Sequence, residues 1–176
     1  MVVLFTGNGK GKTTAALGQA VRTVGRDRKV LMIQFIKGPW KSGEDFIDIT
    51  KRDGEKAEFK LVKKGLGFVG ILGDRLPRED HANAARDALE YFRKEAAGGQ
   101  WDLIILDEIN VATSLGLLTE GEVLEAVGII PPDKFVILTG RNAPQSFVDR
   151  ADLVTEMREI KHPFNDGKMA KIAIEF

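Results

Sequence analysis

Short apolar runs alternate along the chain with segments whose apolar residues recur at three- and four-residue steps, a pattern that predicts an α/β protein with a mostly parallel central sheet flanked by helices. Val2–Thr6, Val30–Ile36, Ala57–Val62, Leu103–Leu106 and Phe135–Leu138 read as strands, the third being shorter and more polar. Leu153–Met157 and Met169–Ile174 alternate apolar with polar residues, as edge strands do. Lys12–Gly25 reads as a helix with Leu17, Ala20, Val21 and Val24 on one face. In Pro77–Ala97 the residues Ala82, Ala85, Leu89, Phe92 and Ala96 fall at helical steps, with Pro77 suited to the start and Gly98-Gly99 to the end. Thr119–Val127 opens with a capping box, Thr119 followed three residues later by Glu122. A short helix is expected over Pro144–Arg150.

Composition narrows the classes of function. The 176 residues suit one domain with a well-buried core, and 43% apolar with 30% charged residues is an ordinary globular balance. The 26 basic and 26 acidic side chains cancel, which disfavours non-specific nucleic-acid binding. With no cysteine, disulfides, thiolate metal sites, iron–sulfur clusters and a cysteine nucleophile are excluded. No apolar stretch approaches the ~20 residues of a membrane span, and the chain opens on a strand rather than a charged leader. A soluble, cytoplasmic protein is expected.

Candidate chemistry begins between the first strand and the first helix. Gly7-Asn8-Gly9-Lys10-Gly11-Lys12-Thr13-Thr14 has the strand–loop–helix setting of a phosphate loop. Its glycines let backbone N–H groups converge on an anion, and the helix N-terminus adds its dipole. Lys12 supplies a mobile charge for phosphates, and the Thr13 hydroxyl is placed for a Mg²⁺ shell. The first glycine of the usual G-x-x-x-x-G-K-[ST] pattern is displaced: Thr6 holds its position and the glycine comes next, at Gly7. Leu103–Leu106 runs into Asp107-Glu108, the acidic strand end that accompanies such loops and holds a metal directly or through water. The Gly-rich loops Lys37–Gly43 and Lys63–Gly73 stand where ligands bind in parallel sheets. They carry Trp40, read either as an aromatic beside a planar ligand or as a core plug, and Phe68, which alone reads as an anchor pinning its loop to the core. Arg141 follows a strand at the ligand end, Arg22 reaches a ligand only if that ligand extends along the first helix, and His81 and His162 make no metal site by spacing.

Gly-Asn-Gly-Lys-Gly-Lys-Thr-Thr-Ala-Ala, Leu-Asp-Glu-Ile-Asn, Thr-Gly-Arg-Asn-Ala-Pro, Ala-Asp-Leu-Val-Thr-Glu-Met and Lys-His-Pro-Phe occur in this order. Together they resemble the P-loop ATP:corrinoid adenosyltransferases from Thr6 to Phe176. The resemblance implies a RecA-like fold, a homodimer, and transfer of the 5′-deoxyadenosyl group of ATP to Co(I) of a corrinoid. It implies that Gly7, Asn8, Gly9, Lys10, Gly11, Lys12, Thr13 and Thr14 hold the triphosphate. Thr13 and Glu108, with Asp107 adjacent, would hold Mg²⁺ or Mn²⁺, and Arg22 and Arg141 would contact nucleotide or phosphates. Phe68 matches an aromatic that expels the lower axial ligand of cobalt. An electron donor such as a flavoprotein would accompany the reaction. Two features depart from the family: Gly70 stands where a Trp is frequent, and the first strand begins without the extension that many members use to cover the corrinoid. A γ-phosphate transferase or ATPase, and an ATP-dependent switch protein, are the alternatives, separated by whether triphosphate, ADP or neither is formed.

Overall fold

The computed structural model describes residues 1–38, 40–71, 73–163, 167, 169, 171 and 174. Strands β1 (Val2–Thr6), β2 (Val30–Gln34), β3 (Phe59–Lys63), β4 (Leu103–Asp107), β5 (Phe135–Thr139) and β6 (Leu153–Glu156) form one sheet in the order β3-β2-β4-β5-β1-β6. Every pairing is parallel. Parallel neighbours require crossovers, supplied here by α1 (Lys12–Val24), α2 (Arg78–Ala97), α3 (Ile109–Ser114), α4 (Glu120–Val127) and α5 (Gln145–Arg150). β2 and β4 are buried at every position, which explains their uninterrupted apolar runs. Leu31, Ile33, Ile104, Leu106, Val136 and Leu138 face α2 to α5, while Val30, Met32, Leu103, Ile105 and Ile137 face α1.

The α/β class and the order of elements agree with the sequence pattern, and the differences are local. On α1 the buried apolar residues are Ala16, Ala20 and Val24, and Val21 is 55% exposed. Steps of four keep Ala16, Ala20 and Val24 on one stripe, whereas Val21 lies a turn of about 100° away from Ala20. α2 starts after Pro77 and ends at Gly98, whose N–H reaches Lys94 O at 3.0 Å, as expected. α3 is unannounced in the sequence, because Ile-Asn-Val-Ala-Thr-Ser is poor in helix formers. Burial of Ile109 and Ala112 in the core holds it helical nonetheless. β6 pairs with β1 at the sheet edge, as its alternation predicts. The expected strand Met169–Ile174 falls largely outside the described residues, as does Phe164. Among the described residues no helix is long and apolar enough to cross a membrane.

The anticipated capping box is present: Glu122 N donates to Thr119 Oγ1 at 3.2 Å, and Thr119 N donates to Glu122 Oε2 at 2.7 Å. Thr119→Ala is expected to lower stability by ~1 kcal/mol, seen as a fall of about 2–4 °C in Tm. An unchanged Tm would show that packing alone fixes the start of α4.

Candidate functional site

The polar residues that gather into one place all stand at the carboxyl edge of the sheet, where the crevices of parallel sheets lie. β1 keeps its pairing through Thr6, which is in register with Glu156 of β6. Gly7 is therefore the first residue free to turn, and it does so at φ 95°, which explains the displaced glycine. Gly11 takes φ 115° immediately before α1. The loop is also clamped from outside by the segment after β6. Met157 N donates to Thr6 O at 2.8 Å, and Gly9 N donates to Met157 O at 2.6 Å. A Cβ on Gly7 would lie 2.5 Å from Met157 O, and one on Gly9 would lie 2.7 Å from Arg158 C. These two glycines thus admit another backbone as well as a ligand.

The Lys12 side chain is buried and curls over its own loop, donating to Gly7 O at 2.8 Å and Gly9 O at 2.7 Å. Burial, opposed by Glu108 and reinforced by Arg141 and Lys10, holds its pKa below the usual lysine range. Next to it, Thr13 Oγ1 donates to Asp107 Oδ1 at 2.9 Å. Asp107 has no solvent exposure, so its charge depends on donors from several elements. Thr139 Oγ1, at the end of β5, donates to Oδ1 at 2.8 Å; Gln34 Nε2, at the end of β2, donates to Oδ2 at 3.1 Å. Lys37 Nζ lies 3.5 Å from Oδ2 and 2.7 Å from Glu44 Oε1. Burial works hardest against the Lys37 charge, yet Asp107 and Glu44 together hold its pKa above the usual range. Burial also opposes the Glu44 charge, but the bond from Lys37, its own backbone N–H and the Ser42 hydroxyl bring its pKa down to about 2.

Glu108 comes next, in the left-handed region at φ 64°, a conformation that strains a residue bearing a side chain. Its N–H donates to Thr139 Oγ1 at 3.0 Å, so one threonine hydroxyl serves both acidic residues. Gly140, at φ 131°, lets this corner close: a Cβ there would come within 3.2 Å of Glu108 Oε2 and 3.0 Å of Asn110 Cβ. Burial first, then the neighbouring Asp107, pushes the Glu108 pKa up to about 7, against Lys12, Lys37 and Arg141. Arg141 is therefore near enough to act on both Lys12 and Glu108.

The donor set fits a hard cation accompanied by phosphate. Among the described residues no group of three His, Asp or Glu side chains could hold a metal unaided. Thr13 and Asp107 nevertheless present oxygens together, and the buried Gln34 Oε1 beside them has no partner among the described residues. Phosphate oxygens would supply further ligands, the usual mode for Mg²⁺.

Lys12, Thr13, Asp107, Glu108 and Arg141 are thus brought together, and Arg22 is not. It lines a cleft of about 430 Å³ with Met1, Arg26, Arg28, Phe135 and Leu153 at the opposite, amino edge of the sheet. Along α1 it lies ten residues beyond Lys12, or ~15 Å. Phe68 is 43% exposed and Trp40 61% exposed, so neither is a core anchor or plug. Their ring centroids are 5.8 Å apart, and both line a cleft of about 190 Å³ with Leu66, Ile71 and Leu76. The loop is fixed instead by Asp74, which accepts from Gly70 N at 2.8 Å and meets buried His81 Nε2 at 3.0 Å. Gln34, Lys37 and Glu44 are not singled out by residue pattern or motif, and Thr139 enters only as the first residue of Thr-Gly-Arg-Asn-Ala-Pro, with no role of its own. A signal existed: the buried runs of β2, β4 and β5 each end in a polar residue, Gln34, Asp107 and Thr139.

Residues 1–176 match the sequence model of the ATP:corrinoid adenosyltransferase BtuR/CobO/CobP family. The corrinoid adenosyltransferase of Escherichia coli (strain K12) is 36% identical over 176 residues, spanning 100% of this chain and 85% of that protein. That of Salmonella typhimurium (strain LT2) is 34% identical over 176 residues, spanning 100% and 85%. That of a Sinorhizobium species is 36% identical over 178 residues, spanning 100% and 80%.

The raised Glu108 pKa has a measurable consequence in the absence of nucleotide and divalent cation. The folded state holds this proton up to about pH 7, whereas the unfolded chain releases it near the ordinary value of 4.5. Folding stability therefore falls as pH rises between those values and levels off above them. Glu108→Gln should match wild type near the lower value and exceed it at pH ~8 by on the order of 2–3 kcal/mol. Urea titrations that stay parallel across this range would contradict the buried, proton-retaining environment.

Proposed function

The chain belongs to the ATP:corrinoid adenosyltransferase family, and from that premise we propose how its residues divide the work. The protein transfers the adenosyl group of ATP to the cobalt of a corrinoid. As Co(I) attacks, its electron pair forms the cobalt–carbon bond, the C5′–O5′ bond breaks, and triphosphate leaves with the electrons of that bond. No proton is removed, so the protein needs neither a general base nor a nucleophile of its own. This suits a cysteine-free chain.

The task left to the protein is to hold the triphosphate and stabilise the charge that grows on it. Lys12 releases the loop carbonyls it now caps and turns to the phosphates, while Gly7 to Thr14 offer backbone N–H groups and Arg141 a second cation. Thr13, Asp107 and Glu108 hold Mg²⁺ or Mn²⁺, which when bound neutralises charge on the leaving group. The observation that carries this reading is the gathering of Lys12 and Thr13, which open α1, against the buried Asp107 carboxylate. Phe68, exposed in an apolar cleft beside Trp40, presses on the lower face of the corrinoid and displaces the axial ligand. Loss of that ligand makes Co(II) easier to reduce, while the cobalt chemistry itself belongs to the corrinoid. With Gly70 lacking a side chain, Trp40 is the aromatic available to share this role. The family resemblance also supports a cytoplasmic homodimer served by an electron donor such as a flavoprotein.

Anaerobic incubation with ATP, Mg²⁺ and chemically reduced corrinoid should yield adenosylated corrinoid and triphosphate in equal amounts. Lys12→Ala should lower turnover by ~10²-fold or more, in the range seen on removal of one preorganised charge-stabilising group. Formation of ADP in place of triphosphate would assign the protein to γ-phosphate chemistry.

A further inference from the structure

We infer that Lys37 is a positioning residue that couples occupancy of the Asp107 carboxylate to the aromatic cleft through the segment it begins. The inference rests on the reading that ATP binds at the phosphate loop with a divalent cation. Lys37 Nζ reaches two carboxylates, Glu44 at 2.7 Å and Asp107 at 3.5 Å, and Gln34 Nε2 bridges the same pair at 3.1 Å each. Asp107 is also the carboxylate that binds the Thr13 hydroxyl. A cation held between Thr13 and Asp107 therefore competes with the Lys37 ammonium for one charge.

The packing of the residues just beyond Lys37 gives this competition a mechanical consequence. Gly38 sits so closely on the neighbouring loop that a Cβ would lie 2.7 Å from Gly67 Cα. A Cβ on Gly67 would in turn lie 2.7 Å from Cζ3 of the Trp40 ring, which stacks obliquely at 5.8 Å from Phe68. Lys63 Nζ closes the other side, donating to Trp40 O at 2.8 Å and to Asp45 Oδ2 at 2.5 Å. Where not even one added carbon would fit between these groups there is little slack, and packed groups shift together rather than deform. Release of Lys37 from Asp107 moves Gly38 against Gly67, and with it the pair Trp40–Phe68. The phosphate site and the apolar cleft thereby share one link, so cation-loaded ATP prepares the surface that receives the second substrate.

Trp40 itself reports on the link. Emission is read with and without saturating ATP and Mg²⁺, and ATP binding is measured separately by calorimetry. Wild type should change its emission on ligation, and Trp40→Phe should not, since the other tryptophan, Trp101, is buried beside Glu95. Lys37→Met, with the tether absent, should already resemble ligated wild type and change little further, whereas Lys37→Arg should restore the response. Glu44→Gln weakens the same tether and should shrink the response, giving a second variant should Lys37→Met fold poorly. A full response in Lys37→Met or Glu44→Gln would overturn the coupling, as would ATP binding to wild type without any change at Trp40. Failure of wild type to bind ATP would instead remove the phosphate-loop reading beneath it.

Discussion

A carboxylate buried without solvent at the end of a central strand costs several kcal/mol in desolvation unless the surrounding structure supplies donors. Asp107 meets that demand with side chains from four places: Thr13 at the head of α1, Thr139 at the end of β5, Gln34 at the end of β2, and Lys37 just beyond it. The sheet order sets β5 between β4 and β1, so the acidic strand end and the phosphate loop are two strand spacings apart, ~10 Å. α1 packs on both β4 and β5, and that placement lets Thr13 span the gap. The site is thus assembled by charge compensation at one atom pair and by the sheet order that brings the partners within reach.

A second constraint shapes the loop itself. Met157 bonds to both Thr6 and Gly9, and the backbone of Met157-Arg158 occupies the space that side chains at Gly7 and Gly9 would need. The glycines that a sequence motif attributes to phosphate binding are required here before any phosphate arrives. The edge strand β6 contributes little to the apolar core, since all its residues are exposed. Its consequence for function is to deliver Met157 to the loop.

Much of this architecture is legible from residue pattern because its causes are local. Buried parallel strands need continuous apolar runs, and the helix ends at Pro77, Gly98 and Thr119 arise from capping chemistry. The phosphate loop and Asp107-Glu108 are readable for the same reason, being short motifs at strand ends. The features that escape depend on distant contacts. Gln34 and Thr139 are ordinary polar residues until the sheet order sets them beside Asp107, and α3 contradicts its own propensities because the core takes Ile109 and Ala112. Phe68 reads as an anchor on composition alone, whereas the loop is anchored by Asp74 and His81 and the ring is left exposed. Arg22, assigned to the nucleotide by resemblance, lies at the amino edge of the sheet with Arg26 and Arg28.

Asp107 and Thr13, if they form the cation site, must strengthen ATP binding at the phosphate loop when metal is present. Calorimetric titration of ATP, with Mg²⁺ and with chelator, tests this directly in wild type and in Asp107→Asn. Mg²⁺ is predicted to tighten ATP binding to wild type by about tenfold or more, ~1.4 kcal/mol, and Asp107→Asn to lose this gain while still binding ATP without metal. An equal gain from Mg²⁺ in both proteins would contradict the assignment.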